Sequence, residues 1–443
     1  MSAPEPVLLS QAVWYWLKLG FISFGGPTGQ IALMHTDLVE RKRWISEQRF
    51  LHALNYCMLL PGPEATQLAI YIGWLMHRTV GGIIAGLLFI LPSLLILILL
   101  SWVYLAFGDV PVIAGVLYGV KPAVVAIVLA AAWRIGSRSL KNRWLIAIAI
   151  LAFVSITVLH LPFPLIIITA GIAGIIGGRW LPGAFQLGGH APGSAPSYGP
   201  ALIDDHTPPP EHARFSWRKL VLTALAGVAA GALVWALLAA TLGLRSPLVQ
   251  MSWFFSKAAL MTFGGAYAVL PYVYQGAVGH FGWLSAVQMV DGLALGETTP
   301  GPLIMVVAFV GFVGGWTQEV FGPLALLAGG IAGALVAFFF TFLPSFIFIL
   351  AGGPMVEATR DNLRLTAPLT AITAAVVGVI ASLTVFFAWH VFHLAEPPAL
   401  WDWVAIAIAT IAAIALVRFK VGTLRLILAC AITGLVVSYL PLK

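Results

Sequence analysis

Charge is what this sequence has least of. Only 9% of its 443 residues are Asp, Glu, Lys or Arg, whereas a water-soluble protein carries about a quarter. That scarcity, with 60% hydrophobic residues, excludes a soluble fold and makes the lipid bilayer the solvent for most of the surface. Cysteine is almost absent too. Cys57 and Cys430 lie in apolar runs at no metal-ligand spacing, so a disulfide framework, a zinc site and a redox motif all lack support. No H-E-x-x-H, G-x-S-x-G or G-x-x-x-x-G-K-[ST] pattern occurs, which argues against an enzyme and against ATP-driven pumping by this chain alone. Neither a metal nor a cofactor is expected. Residues 1–6 lack the basic stretch of a cleavable signal, so the N-terminus is expected to stay attached and cytoplasmic. The excess of Lys and Arg falls in short loops between apolar runs, a topological pattern that does not point to nucleic acid.

What the chain does have is 45 Gly and 28 Pro, many of them inside the apolar runs, and they repeat. An offset of 239 positions carries Lys18 through Pro63 onto Lys257 through Pro302 without a gap. Phe24-Gly25-Gly26 meets Phe263-Gly264-Gly265, Trp44-Ile45-Ser46 meets Trp283-Leu284-Ser285, and Pro61-Gly62-Pro63 meets Pro300-Gly301-Pro302. Further on, Leu91-Pro92-Ser93 matches Leu343-Pro344-Ser345 and Pro122 matches Pro368. The chain therefore divides into a first repeat (1–180), a Pro/Gly-rich linker with one connecting apolar run (181–249), and a second repeat (250–443).

Loop charge orients the halves. Arg41, Lys42, Arg43 and Arg49 mark one cytoplasmic loop, and Arg134, Arg138, Lys141 and Arg143 mark another. The equivalent second-half stretches, His280 to Gln288 and Phe387 to Trp403, contain no Lys or Arg. The single crossing at about 220–244 accounts for the reversal, and the repeats read as inverted, a hallmark of secondary transporters. Residues 50–76 lie between two cytoplasmic ends and are split at Pro61-Gly62-Pro63 into pieces too short for a core that needs about 20 residues. They read as a re-entrant hairpin, as do 8–39, 250–279 and 285–320. The expected fold is thus an all-α polytopic membrane protein: two inverted-topology repeats, each with two re-entrant broken-helix hairpins and about four spans, joined by one connecting span.

Broken helices at membrane depth are tolerated only where they are buried in protein or line a wet cavity. A half-helix that starts at a break aims free N–H groups and a partial positive charge at whatever lies in front of it, which makes an anion site. Pro63 and Pro302 suit a first helical turn, and Gly25, Gly26, Gly264 and Gly265 allow close approach to the backbone. Lys18 and Lys257 each precede their glycine pair by seven residues, about 10 Å of helix, and are candidates to face a divalent anion; snorkelling to the interface is the alternative. Thr66, Gln67, Thr298 and Thr299 offer hydroxyl or amide groups beside the breaks, either to bind oxygens or to cap helix ends. Glu64, Glu297 and, more weakly, Asp291 are candidates to carry protons.

Taken together, Phe24-Gly25-Gly26-Pro27, Leu60-Pro61-Gly62-Pro63-Glu64-Ala65-Thr66-Gln67-Leu68-Ala69, Phe263-Gly264-Gly265-Ala266-Tyr267, Asp291-Gly292-Leu293-Ala294 and Thr299-Pro300-Gly301-Pro302 closely resemble the long, two-domain form of the chromate ion transporter family. The resemblance implies a multi-pass protein of the bacterial inner membrane that exports chromate, a tetrahedral dianion, by a secondary mechanism and confers chromate resistance. Pro27, Pro61, Gly62, Pro63, Pro300, Gly301 and Pro302 join the expected substrate-binding set. Ala266 stands where the first half has Pro27, so the halves need not contribute equally. Sulfate or another oxyanion as cargo, an anion channel, and assembly as a homodimer stay open.

The charge reversal makes a topological prediction: the N-terminus inside, the C-terminus outside. In a background without Cys57 and Cys430, labelling of Ser46→Cys from the cytoplasm and of Ser285→Cys from outside is expected; finding both on one side would overturn the inversion.

Overall fold

A computed structural model of the chain describes residues 4–108, 110–185, 198–205, 207, 208, 210–263, 265–358, 366–393 and 401–439. In the first repeat the helices are α1 (Leu9–Ile22), α2 (Gly26–His35), α3 (Glu47–Leu59), α4 (Glu64–Phe107), α5 (Pro111–Ser139), α6 (Arg143–Thr157), α7 (Phe163–Trp180) and a short α8 (Pro182–Phe185). The connecting helix is α9 (Trp217–Leu242). The second repeat holds α10 (Pro247–Leu260), α11 (Leu270–Tyr274), α12 (Ala286–Thr298), α13 (Val306–Thr317), α14 (Leu326–Ala358), α15 (Thr366–Phe392), α16 (Trp403–Val417) and α17 (Thr423–Ser438). No strand occurs among the described residues.

The repeat seen in the sequence reappears in local structure. A wide π-helical turn at Thr36–Arg41 has its counterpart at Gln275–His280, 239 positions on. Ser46 caps α3 by accepting the Arg49 N–H, and its equivalent Ser285 caps α12 by accepting that of Gln288. Asn142 and Asp402 cap α6 and α16 in the same way.

Helix α4 is two helices in one stretch. Its backbone leaves helical geometry at His77 and Arg78, where φ reaches 57°, and the chain folds back on itself. A Cβ on Gly73 would lie 2.5 Å from both Gly81 O and Ala85 Cβ, so the two arms touch backbone to backbone. The second repeat packs α13 on α14 alike, with Gly311 against Gly333 and Gly315 against Gly329. Glycine serves here because lipid gives helices no hydrophobic reason to associate, leaving close van der Waals contact to hold them.

Among the described residues, six segments are long and apolar enough to cross a membrane: Glu64–Phe107, Pro111–Ser139, Phe163–Trp180, Trp217–Leu242, Pro323–Glu357 and Ala367–Phe392. Helices α6, α16 and α17, expected as full spans, have 15, 15 and 16 residues, short of the roughly 20 that a hydrocarbon core of about 30 Å requires. They pack in an exchanged pattern. Helix α5 lies against α16 and α17 of the other repeat, while α15 lies against α6 and α7. Small residues seal both exchanges: a Cβ on Gly119 would sit 2.0 Å from Cys430 O, and one on Gly378 would sit 1.9 Å from Ala149 O.

Described residues of the Pro/Gly-rich linker pack on the first repeat. Ile203 pairs with Ile45, Ser46 Oγ donates to Asp205, Arg49 donates to Thr207 O, and His212 Nε2 lies 2.9 Å from Trp74 O. This segment touches both the start of α3 and the end of the first arm of α4.

Because Gly119 faces backbone, Gly119→Val must separate α5 from α17. Overpacking of this kind costs about 1–3 kcal/mol, so a lower unfolding temperature in detergent is expected for this variant, and an unchanged one would refute the close contact.

Candidate functional site

The four breaks meet in crossed pairs. The Gly62 N–H donates to Thr262 O at 2.7 Å, and the Gly301 N–H donates to Ser23 O at 2.8 Å. Thr262 and Ser23 are repeat equivalents, as are Gly62 and Gly301, so each Pro-Gly-Pro break is tied to the glycine break of the other half. Glycine is required at both: φ is 124° at Gly62 and 97° at Gly301, and a Cβ would meet Ser345 Oγ at 2.5 Å in the first and Ser93 Cβ at 2.9 Å in the second. Gln30, fully buried, donates to Gly301 O at 2.5 Å and to Ser23 O at 3.2 Å, holding the second crossing together. At the first, Gln67 donates to Pro61 O at 2.8 Å and Ser345 Oγ at 3.4 Å.

A cavity of about 70 Å³ opens at the second crossing. Gly25, Gly26, Pro27 and Thr28 form one wall, at the N-terminal end of α2, and a Cβ on either glycine would meet nothing within 4 Å. Thr299, Gly301 and Leu303 form another, where the helical stretch leading into α13 begins. Two half-helix N-termini thus border one space, the arrangement expected of an anion site. Arg134 of α5 lines the same space, as do Glu297 of α12 and Tyr267, whose hydroxyl donates to Glu297 Oε1. A cation, two helix ends and a threonine or two could hold the oxygens of one small oxyanion, with Glu297 as the group able to take or release a proton.

The expected residues divide accordingly. Gly25, Gly26, Pro27, Glu297, Thr299 and Gly301 line the cavity. Pro300 and Pro302 flank Gly301, and Thr298 Oγ1 donates to Leu295 O at 2.7 Å within α12. Pro61, Gly62, Pro63, Glu64, Thr66 and Gln67 belong to the first crossing; Thr66 is buried there with its hydroxyl unpaired among the described residues. Gly265 has φ 101°, and Gly264 lies outside the described residues. Neither lysine is among the cavity residues. Lys18 lines a separate pocket with Gln11, Tyr15, Asp37 and Lys42, and Lys257 Nζ lies 5.7 Å from the Trp253 ring centre. Asp291 is held deeper in α12, 3.3 Å from Lys121 Nζ and accepting from Tyr104 OH at 2.8 Å.

Three contributors escaped the sequence reading. In the sequence Arg134 groups with Arg138, Lys141 and Arg143 as a loop charge, yet it lines the cavity. Tyr267 replaces Thr28 in the repeat, and Lys121 is the one charged residue in the apolar run 110–133; both departures were visible.

These features define a polytopic membrane transporter built from two related halves whose broken helices meet at a polar cavity. The chain belongs to the chromate transporter family: the family described as "Chromate transporter" matches residues 10–175 and 249–435. It is 34% identical over 392 residues to the chromate transport protein of Pseudomonas aeruginosa, covering 87% of this chain and 82% of that one. To the chromate transport protein of Cupriavidus metallidurans it is 32% identical over 380 residues, covering 86% and 82%. To a probable chromate transport protein of Synechococcus elongatus it is 30% identical over 386 residues, covering 87% and 86%. No solved structure matches.

Gln30 bridges two buried carbonyls across the crossing, so Gln30→Leu leaves both short of a donor. A loss of about 1–3 kcal/mol is expected, read as a lower unfolding temperature in detergent; a variant as stable as the parent would show that the bridge is dispensable.

Proposed function

We propose that this protein is a secondary carrier that exports chromate by alternating access, with the cavity at the second crossing as its substrate site. The observation that carries the reading is the convergence of Arg134 with the N-terminal ends of two half-helices on one small space. Chromate is the cargo of the relatives by name, and a tetrahedral dianion suits a site of one full positive charge plus two partial ones, each about half a charge. In this reading Arg134 takes the part expected of Lys18 and Lys257.

Inverted repeats and re-entrant hairpins belong to the same proposal. The reversed loop charge supports the first. For the second, Arg49 at the start of α3 and Tyr71 in the first arm of α4 both reach Glu357, and residues 203–213 touch both ends of that broken segment. Both ends then lie on one side of the membrane, as a re-entrant pair requires.

Outward movement of a dianion from a negative interior is favoured by about 4.6 kcal/mol per 100 mV, at 2.3 per charge. Voltage alone is enough for export, so a carboxylate at the site needs another reason. Ionised, Glu297 repels the substrate; protonated, it does not. Coupling through Glu297, with Glu64 at the first crossing as its partner candidate, makes flux depend on pH. Chromate resistance of the host follows from export.

Chromate flux into proteoliposomes tests this. Arg134→Gln removes a charged contact worth about 1.5–3 kcal/mol, so KM for chromate is expected to rise about tenfold or more; an unchanged KM would remove the cavity from the reading. Glu297→Gln, which mimics the protonated form, should still transport but lose the parent's pH dependence. A retained profile would end the case for proton coupling there.

A further inference from the structure

Deeper along the same two helices lies a second group of polar side chains with the composition of the first. At the cavity α5 contributes a cation (Arg134), α12 a carboxylate (Glu297), and a tyrosine hydroxyl (Tyr267) donates to that carboxylate. At the other place α5 contributes Lys121, α12 contributes Asp291, and the Tyr104 hydroxyl donates to Asp291 Oδ2 at 2.8 Å while Lys121 Nζ lies 3.3 Å from Oδ1. The α5 wall of the cavity runs back to Ile127, six residues from Lys121, and Glu297 is six residues from Asp291. Along α12 the two carboxylates are therefore about 9 Å apart, and along α5 the two cations, thirteen residues apart, are separated by about 20 Å, with Lys121 nearer the Pro111 end and Arg134 nearer the Ser139 end.

We propose that Lys121 and Tyr104 form a second anion station, where the transported oxyanion exchanges with the Asp291 carboxylate. This rests on the reading of the protein as an oxyanion carrier. A carboxylate and a tetrahedral oxyanion present the same acceptor oxygens to an ammonium and a hydroxyl, and the dianion brings twice the charge. Asp291 thus acts as a tethered competitor: it neutralises Lys121 when the station is empty and displaces the ion when it is full. The two side chains differ in exposure: Asp291 is buried, 2% accessible, whereas the Lys121 side chain keeps 27%. Tyr104 is fixed for the task by its ring, 5.5 Å from that of Phe309, which also covers Gly292 beside Asp291. Ionisable groups at membrane depth are costly and mark ion pathways more often than they add stability.

A buried ion pair could instead serve the fold alone, and removing one partner can prevent folding. The experiment therefore compares Asp291→Asn, Lys121→Arg and the double variant Lys121→Gln/Asp291→Asn, in which neither charge is left unpaired. Each is purified, checked for unfolding temperature, and assayed for chromate flux in proteoliposomes beside the parent. The station predicts about tenfold lower flux for the double variant at parent-like stability, and recovery of most of the flux in Lys121→Arg. It also predicts that Asp291→Asn, having lost the competitor, lowers KM and turnover together, since the ion is held and released slowly. A double variant with the parent's KM and turnover overturns the station and leaves the carrier reading intact. If the parent itself moves no chromate, the carrier reading falls first, and the station with it.

Discussion

Two backbone hydrogen bonds, Gly62 to Thr262 and Gly301 to Ser23, are the constraint on which the rest of the structure depends. A chain that interrupts its helices inside a bilayer exposes N–H and C=O groups that lipid cannot satisfy, and each orphaned group costs several kcal/mol. Here part of the repair is made across the repeats: each Pro-Gly-Pro break donates a backbone N–H to the other half, beside side-chain bonds such as Gln67 to Pro61 O within a half. The cross-links accompany the exchanged packing of α5 and α15 on the terminal helices of the opposite half. The same bonds limit how the protein can move. A rearrangement that carries one half past the other must keep these links as hinges or replace them at once, because lipid supplies no substitute. Motion is thus directed to the contacts around the crossings, where the glycine and proline backbone is already non-helical.

The crossings are equivalent in backbone and unlike in chemistry. Gly62 and Gly301, Ser23 and Thr262, and Ser93 and Ser345 are matched pairs. At the positions around them the repeat diverges: Glu297 answers to Met58, Thr299 to Leu60 and Tyr267 to Thr28, and aligning Pro122 with Pro368 sets Ile380 opposite Arg134. Three of the polar side chains at the second crossing, Glu297, Thr299 and Arg134, are apolar at the first. A duplicated scaffold thereby keeps two equivalent backbone crossings while the polar side chains around them differ. The residue that breaks symmetry at the backbone, Ala266 in place of Pro27, lies beside Tyr267, so the second half gives up a helix-starting proline where it gains a hydroxyl.

Much of this was legible in the sequence, for reasons that differ by feature. The repeat and its breaks were readable because Gly and Pro keep fixed spacing inside apolar runs, and the loop charges mark which segments end at water. The candidate anion site at Gly25-Gly26 followed from helix-end chemistry alone. The pairing of breaks was not readable, since it joins residues 200 and 278 positions apart and the two repeats offer the same partners to each other. Lys18 and Lys257 illustrate a subtler limit. Seven residues of helix fix an axial distance but not the direction of a side chain, and Lys257 Nζ lies over the ring of Trp253, one turn earlier. Arg134 was hidden by its company, because a charge next to other loop charges reads as topology. Departures from the internal repeat were the better guide to chemistry, and Tyr267 and Glu297 are both such departures.

In the proposed carrier, the carboxylates of α12 have a further part in the state in which no substrate is bound. A site able to hold a dianion needs positive charge at membrane depth, and an isolated buried cation is strongly disfavoured. In the proposed cycle the empty carrier must cross back with that site closed. On that proposal, Glu297 beside Arg134 and Asp291 beside Lys121 would let each cation keep an anion at all times, first the protein's own and then the cargo. On the same proposal, the repulsion that makes these acids look misplaced beside an anion would release the anion, and the tyrosine hydroxyls that donate to them would hold each carboxylate close enough to return. Selectivity would follow from the same balance, because an ion must outcompete a carboxylate on charge: a dianion would do so readily, whereas a singly charged anion would gain little over the side chain it replaces.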